Sequence, residues 1–381
     1  PTTTMEIYIE KDVFIEALQL IVNISPKISS EPIINNVLLE TDDSDGNHTL
    51  QVKATNYENT FLGRFRCEIN KPGRICVSTN KLFNLVREFR SDRIFINATP
   101  QNWVFLTSRN SKVKLPGVDP NHFPVIEFKD LEKKIEIPGA ILKSAIDLTY
   151  FAIGENESRK SLMGLNLEII NPDKIHWTGA DAYRICQHQT KMTDQIEGSG
   201  NIIIPKKSLV EIKRIIDFSD ETLLISFNDN TFQISTNKIK FKTSLIEAEY
   251  PNLNSLINTT ISNPLQVPKE DIINAVRILN TITDSDANSI MKMTIQTGKM
   301  ILESQKREFG EGNDEISCDY SGKEMSIGLN IRFFLDALHI FEASNDETIS
   351  INISDPGAPI TLYCEEWDYF KTILMPVKIQ W

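Results

Sequence analysis

Ile7–Leu18 reads IYIEKDVFIEAL, Ile135–Ile146 reads IEIPGAILKSAI, and Leu265–Val276 reads LQVPKEDIINAV. Each stretch begins with alternating apolar and polar residues, as in a strand. After a short turn, apolar residues follow at helical spacing. The same three helix positions, at i, i+3 and i+4, carry apolar residues in every copy: Phe14, Ala17 and Leu18; Leu142, Ala145 and Ile146; Ile272, Ala275 and Val276. The chain therefore contains three copies of one structural unit.

Further landmarks recur in the same order in each copy. A second strand–turn–helix pattern follows about 65 residues later, at Ile75–Phe89, Ile202–Ile216 and Met325–Phe341. The closing signature is KVKLPGVDPNHFPVI at Lys112–Ile126, KIKFKTSLIEAEYPNL at Lys238–Leu253, and the shorter TILMPVKI at Thr372–Ile379. The segments between them alternate as strands do: Asn36–Glu40, Thr49–Lys53, Thr60–Arg66, Ile94–Ala98, Leu223–Phe227, Met291–Gln296 and Ile349–Ile353.

Each copy has about 125 residues, many short strands and two helices. Two helices cannot cover both faces of a large parallel sheet, which disfavours a doubly wound α/β fold. We predict an α+β fold of three tandem domains, each an antiparallel sheet with two helices on one face. The domain boundaries are predicted at 1–130, 131–257 and 258–381, with polar linkers at Phe128–Lys134 and Asn258–Asn263.

Composition excludes several classes of protein. The 381 residues are 40% hydrophobic and 24% charged, which is ordinary for a globular chain and argues against disorder. No apolar run approaches the roughly 20 residues of a membrane span. The five cysteines are scattered without a CxxC pair, which predicts reduced thiols in an intracellular protein rather than a disulfide framework or zinc site. The formal net charge of −12 argues against a protein that coats nucleic acid with its whole surface.

Basic residues nevertheless recur at corresponding places in the three copies. In the helix after Pro205, basic residues lie opposite the apolar face formed by Leu209, Ile212, Ile215 and Ile216. The candidates for contact with DNA are Lys27, Lys81, Arg87, Arg159, Lys160, Lys206, Lys207, Lys213, Arg214 and Arg332. Such a face would contact phosphates without reading bases, and its binding would weaken as salt rises. The alternative is that each charged face is merely solvated.

Four short segments carry a resemblance to a known family: YSGKEMSIG at Tyr320–Gly328, ADAYRIC at Ala180–Cys186, the Tyr250–Pro251 step, and Met375–Pro376. From Met5 to Ile379 the chain resembles the bacterial DNA polymerase III beta subunits, the sliding clamps. The resemblance implies a head-to-tail homodimer whose six domains form a ring around duplex DNA, with helices lining the hole and sheets outside. It also implies a cytoplasmic processivity subunit that keeps the replicative polymerase on DNA, with no catalytic residues, metal or cofactor of its own.

The resemblance further implies a pocket between the second and third domains, where a short peptide motif of polymerases, the clamp loader and repair polymerases binds. The matching positions are Leu162, Ala180, Ala182, Tyr183, Arg184, Ile185, Pro251, Leu256, Ile373, Met375, Pro376 and Val377. Some positions depart from the family pattern. Ala182 and Tyr183 stand where Gly-His is commoner, Ser255 stands where many relatives have Arg, and Thr283–Asn288 is acidic where basic residues are common. Gln380 and Trp381 extend past the usual end and are expected near the pocket.

The resemblance places ring closure at sheet edges of the first and third domains. Val113 and Leu115 would lie on one edge and Ile282 near the other. An enzyme is disfavoured because the five histidines have no ligand spacing and no nucleophile or phosphate-binding motif occurs. A repeat-built interaction scaffold that never meets DNA remains the alternative, and it would not require ring closure.

Overall fold

The computed structural model describes residues 4–219, 222–283, 288–304 and 310–379, apart from the side chain of Asp45. The chain divides into two compact units. The first unit contains residues 1–143 and 207–245, and the second contains residues 144–206 and 246–381.

Seven α-helices occur in the described residues. They are α1 (Lys11–Ile21), α2 (Thr79–Glu88), α3 (Gly139–Thr149), α4 (Lys206–Asp217), α5 (Asn254–Ile257), α6 (Lys269–Ile282) and α7 (Ile331–Ile340). Short 3-10 helices occur at Pro32–Asn35, Ser44–Gly46, Pro120–His122, Tyr150–Ala152, Lys160–Met163 and Phe341–Ala343. No helix in this described part is long and apolar enough to cross a membrane.

The described residues contain twenty-five strands. Neighbouring strands in each of the three sheets run antiparallel to each other. The first repeat supplies β1 (Met5–Glu10), β2 (Asn36–Asp42), β3 (Thr49–Thr55), β4 (Asn59–Arg66), β5 (Glu68–Lys71), β6 (Arg74–Ser78), β7 (Arg93–Ala98), β8 (Trp103–Ser108) and β9 (Ser111–Val118). The central repeat supplies β10 (Lys133–Pro138), β11 (Gly164–Ile170), β12 (Lys174–Ala180), β13 (Arg184–Lys191), β14 (Asn201–Pro205), β15 (Thr222–Phe227), β16 (Thr231–Ser235) and β17 (Ile239–Ser244). The third repeat supplies β18 (Leu265–Pro268), β19 (Ile290–Gln296), β20 (Lys299–Ser304), β21 (Asn313–Ser317), β22 (Met325–Asn330), β23 (Thr348–Asn352), β24 (Ile360–Tyr363) and β25 (Phe370–Leu374).

The first unit is built on one 13-stranded sheet, in the order β10-β15-β16-β17-β4-β3-β2-β6-β9-β8-β7-β1-β5. Strand β17 of the central repeat pairs with β4 of the first repeat, with Phe241 opposite Phe61. Helices α1 and α2 pack on each other and on strands of this sheet. The pairing therefore makes one continuous sheet from two repeats.

The second unit contains an eight-stranded sheet, β14-β11-β12-β13-β25-β24-β23-β18, and a four-stranded sheet, β21-β20-β19-β22. Strand β13 of the central repeat pairs with β25 of the third, with Ile185 opposite Ile373. Helices α6 and α7 pack together over a core that includes Phe334 and Phe341. The central and third repeats thus meet through strands in the same way as the first two.

The structure confirms the predicted α+β class and the predicted strands. The nine helix positions used to align the repeats are all buried, with at most 1% of their surface exposed. The three-domain boundaries stay a prediction, because the central repeat contributes strands to both compact units: β10 and β15–β17 to the first, β11–β14 to the second.

Candidate functional site

The predicted ADAYRIC segment forms the hairpin turn between β12 and β13. The carboxylate oxygen Oδ1 of Asp181 accepts hydrogen bonds from the backbone N–H groups of Tyr183 (2.8 Å) and Arg184 (3.0 Å). Ala180 and Ile185 face each other across the hairpin. Asp181 therefore fixes the turn, since a short acidic side chain can satisfy the amides of the next residues.

Beside this turn lies an apolar cavity of about 270 Å³, called cavity A. It is lined by Glu157, Ser158, Arg159, Leu162, Ala180, Asp181, Ala182, Arg184, Ile185, Pro251, Leu253, Leu256 and Met375. Beneath it, Leu162, Ala180, Ile185, Ile257 and Ile373 form a buried cluster. An apolar cavity with a few polar groups at its rim is suited to the side chains of a peptide or small ligand.

A second cavity of about 410 Å³, called cavity B, shares a lining residue with cavity A. It is lined by Tyr183, Asn288, Ile290, Leu329, Asn330, Phe333, Leu374, Met375, Pro376, Val377 and Lys378. Met375 lines both cavities, and its side chain is 38% exposed. The flexible thioether of methionine adapts to differently shaped apolar ligands.

The side chain of Arg184 connects the hairpin to helix α7. Its guanidinium donates through Nε to Asp181 Oδ2 (3.1 Å) and through Nη1 to Asp336 Oδ2 (2.8 Å). The same guanidinium lies 4.5 Å from the ring centre of Phe333. The Phe333 ring in turn lies 5.5 Å from the ring of Tyr183, and these two rings line cavity B while Arg184 lines cavity A.

Two buried groups near the cavities, the Cys186 thiol and the Tyr250 hydroxyl, are in their neutral forms. Burial raises the pKa of the Cys186 thiol to about 12, and this thiol donates to Thr372 Oγ1. Burial also raises the pKa of Tyr250, whose hydroxyl donates to the carbonyl of Thr178 (3.2 Å). A thiol held protonated is a poor nucleophile and a poor metal ligand. Among the described residues, no three His, Cys, Asp or Glu side chains are grouped to hold a metal ion.

The structure brings the predicted pocket residues together. Leu162, Ala180, Ala182, Arg184, Ile185, Pro251, Leu256 and Met375 line cavity A, while Tyr183, Met375, Pro376 and Val377 line cavity B. Ile373 is fully buried in the cluster below cavity A and lines neither cavity. Their binding role stays a prediction.

Sequence reasoning missed Asn330, Phe333 and Asp336 on or before helix α7. Phe333 and Phe334 are adjacent in sequence, and their side chains point about 100° apart around the helix. Phe334 is fully buried, whereas Phe333 is partly buried, packs against the same core and also lines cavity B. That doubled phenylalanine was the available signal.

The predicted DNA-facing residues fall into two groups. Lys27, Lys81, Arg87, Arg159, Lys160, Lys207 and Arg332 are exposed. Lys206 is not: its side chain is 12% exposed, and its ammonium donates to the Ile153 carbonyl (2.8 Å) and to Glu155 Oε1 (3.0 Å). The hydrogen bond from Lys206 lowers the pKa of Glu155. Arg159 also lines cavity A.

Lys213 and Arg214 are half-buried, and Arg214 is paired within its own helix. Its Nη1 donates to both carboxylate oxygens of Glu211, at 3.1 and 3.0 Å. Glu211 lies on the buried side of α4, and burial raises its pKa despite this neighbour. Helix α4 therefore exposes less positive charge than its sequence suggests.

The residues predicted at the dimer interface lie on or beside open sheet edges. Strand β9 pairs with β8 from Ser111 to Pro116, but with β6 only at Gly117 and Val118. Among the described strands, the stretch that carries Val113 and Leu115 is paired on one side only. Strand β21 ends the four-stranded sheet, and Ile282 lies close to Gly312, the residue before β21.

Two sequence predictions concern residues outside the described ranges: most of the acidic stretch Thr283–Asn288, and the Gln380–Trp381 tail.

A larger cavity of about 940 Å³ occurs in the first unit, between α1, β4 and the β2–β3 connection. It contains none of the predicted site residues, and its rim mixes Glu16 and Asp42 with Arg64, Arg66 and Lys238.

Comparison with known proteins accounts for nearly the whole chain. Sequence profiles described as the N-terminal, central and C-terminal domains of the DNA polymerase III beta subunit match residues 5–127, 136–252 and 254–378. The beta sliding clamp of Staphylococcus epidermidis is 24% identical over 380 residues, covering 98% of this chain and 99% of that protein. The Bacillus subtilis beta sliding clamp is 22% identical over 383 residues, covering 98% and 100%.

Solved structures show the same fold. The beta sliding clamp of Caulobacter crescentus superposes with a TM-score of 0.93 at 22% identity, covering 100% of both chains. The Pseudomonas aeruginosa sliding clamp bound to griselimycin gives a TM-score of 0.90 at 20% identity, covering 99% of this chain and 100% of that one. With three profiles matched in order along the sequence, the chain belongs to the bacterial DNA polymerase III beta subunit family, the sliding clamps.

Proposed function

We propose that this DNA polymerase III sliding clamp works as a homodimeric ring that encircles duplex DNA and tethers partner proteins during synthesis. The observation that carries the proposal is the threefold repeat, because three alike domains per subunit give six in a closed dimer. A ring holds DNA by enclosing it. A protein with a net charge of −12 therefore needs no tight affinity for DNA, and its acidic body repels DNA everywhere except at a modestly basic hole.

Cavities A and B accept a short apolar peptide segment of the partner, in this proposal. Their combined lining is mainly aliphatic and aromatic, with polar groups at the rim, which suits alternate apolar side chains of an extended peptide. Partners of this kind are the replicative polymerase, the clamp loader and repair polymerases. Tyr183, which is 56% exposed, gives the rim an aromatic surface.

In this proposal, seven exposed cations contact DNA without reading its sequence: Lys27, Lys81, Arg87, Arg159, Lys160, Lys207 and Arg332. The half-buried Lys213 and Arg214 contribute less. These side chains would contact phosphates and give weak, salt-sensitive attraction. Lys206 is better explained as a structural contact, because its ammonium is already bonded to Ile153 and Glu155.

The dimer closes, in this proposal, when β9 of one subunit pairs with β21 of the other. Lys112 and Lys114 are exposed on β9, and Asp314 and Glu315 lie on β21. Two basic residues on one open edge and two acidic residues on the other favour head-to-tail pairing and disfavour pairing of like edges. Pairing also removes two exposed strand edges that would otherwise promote aggregation.

Sliding clamps are a non-catalytic family, and we propose that this chain has no chemistry of its own. We likewise propose the bacterial cytoplasm, where replication takes place, as its location. The runner-up function is a repeat-built interaction scaffold that does not enclose DNA.

The test compares how well the clamp is retained on circular and on linear DNA. Clamp loaded by its clamp loader onto nicked circular duplex DNA should stay bound at high salt and dissociate when a restriction enzyme linearises the circle. Negative-stain images of the free protein should show a six-lobed ring. Equal loss from circular and linear DNA, or a monomer without a ring, would instead favour the scaffold.

A further inference from the structure

The end of the chain is attached to the rest of the second unit by two backbone hydrogen bonds. The Met375 N–H donates to the Tyr183 carbonyl over 2.8 Å, and the Val377 N–H donates to the Gly328 carbonyl over 2.8 Å. Pro376, between them, has no N–H to donate. The segment 375–377 is therefore held at both of its ends, and it is this segment that lines the two cavities.

The second attachment depends on the absence of a side chain at residue 328. Gly328 lies within β22, opposite Lys292 of β19, and on its other side it forms an isolated antiparallel bridge with Val377. A Cβ atom built on Gly328 would overlap the carbonyl oxygen of Val377 and would lie 2.9 Å from Ile379 Cγ1. Any other residue there must push the terminal segment away from the sheet, because backbone atoms cannot rotate aside as a flexible side chain can.

We propose that Gly328 is a positioning residue for the partner pocket: its bare backbone lets Val377 pair with β22, which sets Met375, Pro376 and Val377 along cavities A and B. Gly328 lines neither cavity, so it acts through the terminal segment and not by touching a ligand. The proposal rests on the pocket role proposed above and adds the residue that holds one wall of the pocket in place.

The geometry predicts which atoms respond to a change at this glycine. Leu329 and Asn330, the next residues of β22, line cavity B together with the terminal segment. Because β22 is paired along its whole length with β19, it should keep its position when a methyl group is added. The single bridge to Val377 is the weaker attachment, and it should break first.

The test uses full-length Gly328→Ala and the matched control Gly357→Ala, where a Cβ meets no atom closer than 3.4 Å. The probe is a fluorescein-labelled peptide with a Leu-Ala-Leu-Phe core, measured by fluorescence anisotropy. Gly328→Ala should raise the peptide Kd roughly tenfold, equal to about 1.4 kcal/mol, while Gly357→Ala leaves it unchanged. Hydrogen exchange of the Val377 amide should accelerate in Gly328→Ala alone, because that amide loses its acceptor.

A double-variant comparison separates positioning from a general effect on folding. In a chain truncated after Met375, the methyl group of Gly328→Ala has no Val377 carbonyl to displace, so the peptide Kd should be the same with either residue. An equal loss of affinity in full-length and truncated chains would overturn the proposal, as would unchanged affinity or unchanged Val377 exchange in Gly328→Ala. If the unmodified clamp failed to bind the peptide, the pocket role would be wrong. The exchange measurement would still decide whether Gly328 anchors the terminal segment.

Discussion

Arg184 on β13 and Asp336 on α7 are joined by a hydrogen-bonded ion pair, with 2.8 Å between Arg184 Nη1 and Asp336 Oδ2. The side chain of Arg184 is only 11% exposed, and a second carboxylate, that of Asp181, lies 3.1 Å from its Nε. A buried cation needs such partners, since desolvation otherwise disfavours its charge. The pair thereby links the turn that carries Tyr183 to the helix that carries Phe333.

Removing the charge of Arg184 should destabilise the fold more than removing the charge of its more exposed partner, Asp336. Arg184→Met leaves the Asp181 carboxylate with its backbone hydrogen bonds but without its cationic partner, and should lower the free energy of unfolding by about 3 kcal/mol. Asp336→Asn keeps an oxygen that can accept from the guanidinium and, because Asp336 is 38% exposed, should cost about 1 kcal/mol or less. Urea denaturation followed by circular dichroism gives both values. Equal costs for the two variants would contradict the assigned buried role of Arg184.

Truncating the cavity walls should weaken partner binding without affecting assembly. Met375→Ala combined with Leu162→Ala removes apolar surface from cavity A and should raise the Kd of the labelled peptide by more than about tenfold. Sedimentation should still show the dimer, because neither residue belongs to β9 or β21. Ile28→Ala with Val125→Ala, two residues that are 91% and 86% exposed, is the matched control and should bind normally. Unchanged affinity in the cavity variant would exclude the pocket assignment.

Sequence periodicity predicted the repeat and the strands because each copy buries the same helix face, as Phe14, Leu142 and Ile272 illustrate. It could not predict which cations are free. Lys206 and Lys207 are adjacent and look equivalent, yet only Lys206 reaches the Ile153 carbonyl. That contact depends on a loop about 50 residues away in sequence, and helical spacing carries no information about it. Phe333 was missed for the same reason, since its wall of cavity B is completed by the distant Tyr183.

The free energy of unfolding should decrease as the pH is lowered, because the histidine His188 is buried. Burial lowers the pKa of His188 to about 4, and the side chain is 5% exposed. Between about pH 6.5 and pH 4 the unfolded chain binds a proton at this site that the folded chain does not, so stability is lost as pH falls. The full effect is about 3 kcal/mol. In urea titrations across this range, His188→Gln should show a shallower pH dependence than the unmodified protein. Identical slopes for the two proteins would rule out His188 as the source.

Charge reversal at exposed cations should reduce retention on DNA. Lys81→Glu, Lys207→Glu and Arg332→Glu change three exposed side chains, each on a helix of a different repeat. Loading onto circular DNA should fall, and its salt dependence should become less steep, because fewer phosphate contacts are made. The control Lys191→Glu, Lys238→Glu and Lys323→Glu makes the same change in net charge at exposed positions outside the candidate DNA face. If both triple variants lost binding equally, net charge alone would explain the effect.

The assignment of β9 and β21 to the dimer contact predicts a charge rescue. Lys112→Glu with Lys114→Glu makes the β9 edge acidic where it would meet the acidic β21 edge of the partner, and should raise the dimer Kd about tenfold, since like charges across an interface repel. Glu315 already lies 3.2 Å from Lys299, which moderates its contribution. Adding Asp314→Lys and Glu315→Lys to the same chain restores opposite charges at both interfaces of the ring and should recover dimerisation. Sedimentation velocity over a concentration series measures each state, with Lys191→Glu and Lys238→Glu as the charge-matched control. Failure of the fourfold variant to recover, with its folded circular dichroism spectrum intact, would place the subunit contact on other strands.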